Sequence, residues 1–129
     1  MKFFRYHWKA LFWIVIIYLG CLLPGDALPS ILFLLKIPYF DKIMHFGLYF
    51  VYTLFLASGF LLQYPGEHGK AYLLGGLIAF SIGISIEFLQ SIMHLGRLAD
   101  FYDAIANTIG IIVALLLFKS LQRLFPWAL

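Results

Sequence analysis

Apolar residues fall into four long blocks separated by short polar or proline-containing breaks. The first runs from about Trp8 to Leu23 and stops at Pro24-Gly25; the second runs from about Ile43 to Gln63 and stops at Pro65-Gly66. The third runs from about Ala71 to Met93, ending near Gly96, and the fourth from about Ala104 to Phe118. At a rise of about 1.5 Å per residue, each block is long enough to cross the hydrocarbon of a bilayer as a helix. None alternates polar and apolar positions as a barrel strand would, and backbone in lipid must satisfy its own hydrogen bonds, so helices are the remaining solution. Residues 24–40 read PGDALPSILFLLKIPYF. Their apolar part is too short to span and predicts an interfacial or re-entrant segment at about 27–37. The pattern therefore predicts an all-α, polytopic membrane protein. It has four transmembrane helices, a short interfacial or re-entrant segment after the first, and a single domain over residues 1–129.

Polar residues interrupt the blocks at helical spacing. On the second span Asp41 and His45 are four apart, with Tyr49 and Tyr52 further along. At about 100° per residue, Asp41, His45 and Tyr52 lie within about 40° of one another. Glu87, Gln90 and His94 on the third span stand at i, i+3 and i+7, and Asp100, Asp103 and Asn107 on the fourth repeat that spacing. Each triplet occupies a strip about 60° wide. In an up-and-down arrangement all three strips fall at the same end. Glu87 lies about 10 Å inward from His94, where a carboxylate facing lipid costs several kcal/mol. Gly75, Ala79 and Gly83 precede it at steps of four, a small-residue face that lets another helix approach. Glu87 is thus expected to point into the bundle, and Gly110 and Ala114 continue the Asn107 face in the same manner. The expected cluster is Asp41, Lys42, His45, Glu87, Gln90, His94, Arg97, Asp100, Asp103 and Asn107, with Tyr49 beside it.

Composition narrows the picture. The chain is 64% hydrophobic and only 12% charged, with a mean hydropathy of +0.96, which excludes an ordinary soluble domain. The net charge of +3 comes without a basic tract, so nucleic acid is not an expected partner. Basic residues set the orientation. With the N-terminus inside, Lys2, Arg5, Lys9, Lys70, Lys119 and Arg123 are cytoplasmic, against Lys36, Lys42 and Arg97 outside. Both termini are therefore expected in the cytoplasm. A single cysteine, Cys21, excludes an intramolecular disulfide. The basic start and apolar run ending at Gly20-Cys21 superficially match a secretion signal, but bulky Tyr18 and Leu19 argue against cleavage there. Trp8, Trp13 and Trp127 read as interfacial anchors, and His7 and His68 as solvated flanking residues.

The cluster sets four carboxylates, Asp41, Glu87, Asp100 and Asp103, against two permanent cations, Lys42 and Arg97. With neutral histidines it carries −2, an excess that low dielectric disfavours. Protonated His45 or His94, a shared carboxyl proton, a divalent cation or a cationic ligand would each relieve it. In the simplest reading these groups pair structurally, Arg97 with Asp100 or Asp103 and Lys42 with Asp41. A divalent metal is a second reading, with candidate ligands Asp41, His45, Glu87, Asp100 and Asp103; mixed oxygen and nitrogen donors suit zinc or manganese better than calcium. The catalytic reading takes His45 or Glu87 as base, with Arg97 and Lys42 holding the phosphate of an outer-leaflet headgroup. No nucleophile elbow, P-loop or HExxH motif specifies a reaction. Ion conduction is disfavoured, because the inner halves of the spans offer little beyond Thr53, Ser58, Ser81 and Ser85.

Three blocks carry a family resemblance. DKIMHFGLYF at 41–50 resembles the Asp-Lys-x-x-His-Phe-x-x-Tyr block of the VanZ-like family of small bacterial membrane proteins, with Asp41, Lys42, His45, Phe46 and Tyr49 matching. EFLQ at 87–90 resembles its Glu-x-x-Gln. RLADFYDAIANTIG at 97–110 resembles its Arg-x-x-Asp-x-x-Asp-x-x-x-Asn-x-x-Gly, through Arg97, Asp100, Asp103, Asn107 and Gly110. The order and spacing of the blocks agree over residues 38–118. The resemblance implies a multi-pass protein of the bacterial cytoplasmic membrane. The family's namesake is linked to low-level resistance to the glycopeptide teicoplanin. Together with the expected outer-face cluster, it points to binding of a cell-envelope component, such as a lipid-linked precursor headgroup.

Overall fold

The computed structural model describes residues 2–22, 38–93 and 100–126. The expected segment at 27–37 lies outside these residues, as do His94, Arg97 and Trp127. The described chain forms four helices, α1 (Lys2–Leu22), α2 (Phe40–Gln63), α3 (His68–Met93) and α4 (Phe101–Leu124). No strand occurs among the described residues. Three of the helices, α2, α3 and α4, are long and apolar enough to cross a membrane. The first expected span corresponds to α1, whose opening turns carry Lys2, Arg5, His7 and Lys9 and leave an uninterrupted apolar run only from Ala10 onward. The fold is all-helical with three helices of spanning character.

Local chemistry sets the helix limits. Asp100 caps α4, its carboxylate accepting the Tyr102 N–H at 2.9 Å, and Asp103 adds a second acid to the first turn, where the helix dipole favours negative charge. The α2–α3 turn passes through Pro65 and Gly66, and Gly66 takes a φ of 83°, a left-handed conformation that favours glycine.

Most of the packing runs through α2. Antiparallel to it, α1 sets His7 beside Gln63 at one end and Gly20 against Leu48 toward the other. Gly75 of α3 lies on Ala57 and Gly83 on Tyr49, so α3 is also antiparallel to α2. Lys42 meets Asp103 while Leu54 and Ala57 pack with Ala114 and Phe118, so α4 runs parallel to α2. The small residues are where the helices come closest. A Cβ added to Gly110 would sit 2.5 Å from the Phe46 carbonyl oxygen, and one added to Gly75 would sit 3.1 Å from the Ala57 nitrogen. Outward faces stay apolar, with Leu73, Leu77, Phe88, Ile109, Ile112 and Leu116 exposed, as suits helices solvated by lipid.

This up-and-down order brings the end of α1, the start of α2, the end of α3 and the start of α4 to one end of the bundle. The other end carries Lys2, Arg5, Lys9, Lys70, Lys119 and Arg123.

Three expectations need correction. His7 is not a solvated flank. It is 2% exposed, its Nε2 lies 3.1 Å from Gln63 Oε1, and its ring packs on Phe3 and Phe60. A polar side chain can be buried there because Gln63 supplies the partner and Gly59 the space. Trp13 is not only an anchor, since its indole N–H donates to the Leu48 carbonyl at 2.9 Å and ties α1 to α2. His68 is half-buried, its ring 6.0 Å from that of Tyr72.

Candidate functional site

The polar end has an outer and an inner layer. In the outer layer Lys42, from the first turn of α2, reaches three carboxylates. Its Nζ donates to Asp41 Oδ2 at 2.8 Å, Asp100 Oδ2 at 2.5 Å and Asp103 Oδ1 at 2.7 Å. An ammonium has three N–H donors, so all of them are engaged. The sequence reading has Lys42 hold a phosphate; here its three donors are taken up by carboxylates. The Lys42 ammonium, together with the Tyr102 N–H, holds the Asp100 carboxyl below its ordinary range. The Asp41 and Asp100 side chains form the exposed rim, whereas the Asp103 side chain is only 10% exposed. Tyr39, Phe101 and Tyr102 stand exposed around that rim. They had no place among the sequence candidates, and their signal is aromatic residues flanking helix starts at the level where interfacial belts form.

The inner layer joins α2, α3 and α4. His45 is buried, and its Nδ1 lies 3.0 Å from Asn107 Oδ1. With the amide oxygen as acceptor, Nδ1 carries the hydrogen, and in the neutral ring Nε2 presents a lone pair. That Nε2 lies 3.7 Å from Asp103 Oδ2, the oxygen Lys42 does not use. Glu87 of α3 completes the layer, and His45, Glu87 and Asp103 each bring one ligand-type atom within 4.8 Å of the others. Both Glu87 oxygens are buried without a hydrogen-bond partner among the described residues, as are the Tyr49 hydroxyl and Asn107 Nδ2. Gly83, one turn before Glu87, allows this convergence. A Cβ there would lie 3.4 Å from Tyr49 Cε1 and 3.6 Å from Asn107 Nδ2. A crevice between α3 and α4, lined by Gly83, Ile84, Ala104 and Asn107, opens beside the layer.

The sequence candidates thus separate. Asp41, Lys42, Asp100 and Asp103 meet in the outer layer. His45, Glu87, Asp103 and Asn107 meet in the inner layer, where Tyr49 is fully buried against Gly83. Gln90 is drawn elsewhere: its Nε2 donates to the Cys21 carbonyl at 2.9 Å and links α3 to α1. The two acidic groupings differ in one respect. Asp41, Asp100 and Asp103 surround an ammonium, whereas His45, Glu87 and Asp103 surround no cationic side chain of the described residues other than Lys42, which approaches only the far oxygen of Asp103.

A family model described as VanZ/LLP1 matches residues 2–122, nearly the whole chain. Comparison with curated proteins and with solved structures gives no match.

Proposed function

The chain belongs to the VanZ/LLP1 family, and on that premise we propose that it is an envelope-component receptor whose polar end binds an amine-bearing lipid headgroup. The proposal takes α1 as a fourth span and puts both termini in the cytoplasm of a bacterium. The basic end then faces inward and the polar end lies at the outer leaflet. The observation that carries it is the imbalance of charge in the cluster. Among the described residues, four carboxylates, Asp41, Glu87, Asp100 and Asp103, stand around one cation, Lys42, whose three donors Asp41, Asp100 and Asp103 already occupy. The exposed rim of Asp41 and Asp100 therefore favours a cationic group over a bare phosphate, and the aromatic collar suits headgroup depth.

Native mass spectrometry tests this directly. Wild-type protein released from nanodiscs of mixed phosphatidylethanolamine and phosphatidylglycerol retains the amine-bearing lipid, and Asp41→Asn with Asp100→Asn loses it. Equal retention of both lipids, or adducts unchanged in the double variant, refutes the reading. A lipid-linked precursor carrying a free amine is the physiological form of the same ligand, and teicoplanin susceptibility of a deletion strain is the phenotype to measure. A second reading, acid–base chemistry on the bound headgroup, is favoured by His45, whose Nε2 lone pair is held in place through Asn107. It predicts turnover of the headgroup that His45→Gln abolishes without loss of binding.

A further inference from the structure

The inner layer supports a separate assignment that does not depend on headgroup binding. We infer that His45, Glu87 and Asp103 form a binding site for one divalent transition-metal ion of the zinc–manganese type.

Ligand chemistry is the first argument. One imidazole nitrogen and two carboxylates are a mixed donor set that borderline divalent ions take and that calcium, with its six to eight oxygens, does not. The three ligand atoms come from three helices, α2, α3 and α4, and lie within 4.8 Å of one another. A tetrahedral ion with bonds of about 2.1 Å separates its ligands by about 3.4 Å. The His45 Nε2 to Asp103 Oδ2 distance of 3.7 Å is close to that. The remaining contraction is within reach of side-chain rotation, because no well-formed side-chain hydrogen bond fixes the Glu87 carboxylate, which has only a loose contact with the Asp100 backbone.

The second argument is the state of the surrounding groups. His45 Nε2 faces an acceptor, Asp103 Oδ2, without a hydrogen of its own once Nδ1 donates to Asn107. Two acceptors facing each other need a proton or a metal ion between them. Holding a metal-binding imidazole by its other nitrogen is also the usual way its orientation is fixed. Asn107, 2% exposed, has this role, and its Nδ2 is left unpartnered beside the site. Buried polar groups seldom go unsatisfied. Here Glu87 Oε1 and Oε2, the Tyr49 hydroxyl and Asn107 Nδ2 are all orphaned, and Asn107 Nδ2 and the Tyr49 ring both approach Gly83, one turn before Glu87.

Charge is the third argument. The inner layer holds the carboxylates of Glu87 and Asp103, and Lys42 meets only the far oxygen of Asp103. A divalent ion offsets both of these negative charges.

The test uses full-length, untagged protein in detergent, stripped with chelator and then titrated with Zn2+, Mn2+ or Co2+. Elemental analysis after desalting is expected to find one ion per chain, and Co2+ to give the visible absorption of a nitrogen–oxygen site. Glu87→Gln and His45→Gln, each checked for the wild-type elution volume and helical spectrum, lose the ion. Asn107→Ala, a positioning change, weakens binding roughly 10- to 100-fold, whereas Asp41→Asn on the rim retains it. Wild-type protein that takes up no stoichiometric ion overturns the assignment even if the variants fail to fold. So does retention of wild-type affinity in Glu87→Gln. Metal binding without lipid selectivity, or the reverse, separates this site from the headgroup reading.

Discussion

Replacing Lys42 with methionine removes one ammonium and leaves three carboxylates facing each other across the gap between α2 and α4. The Lys42–Asp103 pair decides the magnitude. Its N–O distance is 2.7 Å, and the two side chains are 22% and 10% exposed. Breaking a buried pair by deleting one partner costs about 3–5 kcal/mol, most of it the uncompensated charge left behind. The residual exposure of Lys42 puts the loss at the lower end, about 3 kcal/mol. The contacts to Asp41 and Asp100 lie in solvent-accessible rim positions and contribute little. For a chain of this length that loss lowers the melting temperature by roughly 10 °C. The buried thiol of Cys21, the single cysteine, makes the assay simple, because a thiol-reactive dye labels it only as the bundle opens. Combining Lys42→Met with Asp103→Asn removes the stranded charge and should recover most of the loss. A Lys42→Met protein melting with the wild type, or strictly additive effects in the double variant, would refute the pairing.

Three further outcomes follow from the same geometry. Gly110→Ala drives a Cβ to 2.5 Å from the Phe46 carbonyl oxygen and should destabilise the protein by about 1–3 kcal/mol in the same melting assay; no change would mean that α2 and α4 do not meet there. Glu87→Met removes buried oxygens without partners among the described residues and should stabilise the metal-free protein by about 1–3 kcal/mol, so a destabilised variant would contradict the burial. Asp100 is held below its ordinary pKa of 3.8 by Lys42 and the Tyr102 N–H, so its contribution is complete above that value and is lost as pH falls through the lowered one. Melting curves of wild type and Asp100→Asn should therefore converge only in strongly acid solution, and a gap that closes between pH 7 and 5 would assign it to another group.

Apolar length and helical spacing made the helices legible, but not their ends. The apolar run of the last block stops at Phe118, whereas α4 continues to Leu124. Likewise α2 begins at Phe40, before Asp41 and Lys42. Hydropathy marks where lipid ends, while backbone hydrogen bonding carries the helix on through charged residues. Spacing also placed Asp103 and Asn107 on one strip of α4, and the small-residue steps of α3 marked the face toward α2. Partner choice was not legible. Period alone does not say which strip faces which, and it gave no sign that Gln90 would turn to the Cys21 carbonyl or that all three Lys42 donors would be engaged. Those outcomes depend on helix order and crossing, which bring α2 and α4 side by side in parallel. His7 was misread for a related reason: its partner, Gln63, lies 56 residues away.

The central claim is that polar groups from three separate helices meet in one enclosed layer. Magic-angle-spinning NMR of the protein in lipid bilayers, labelled to correlate side-chain carboxyl carbons with imidazole nitrogens, measures it most directly. The account predicts through-space contacts from the His45 ring to both the Glu87 and the Asp103 carboxyls, in keeping with ligand atoms all within 4.8 Å. Glu87 correlating with lipid acyl chains, with no contact to His45, would contradict it.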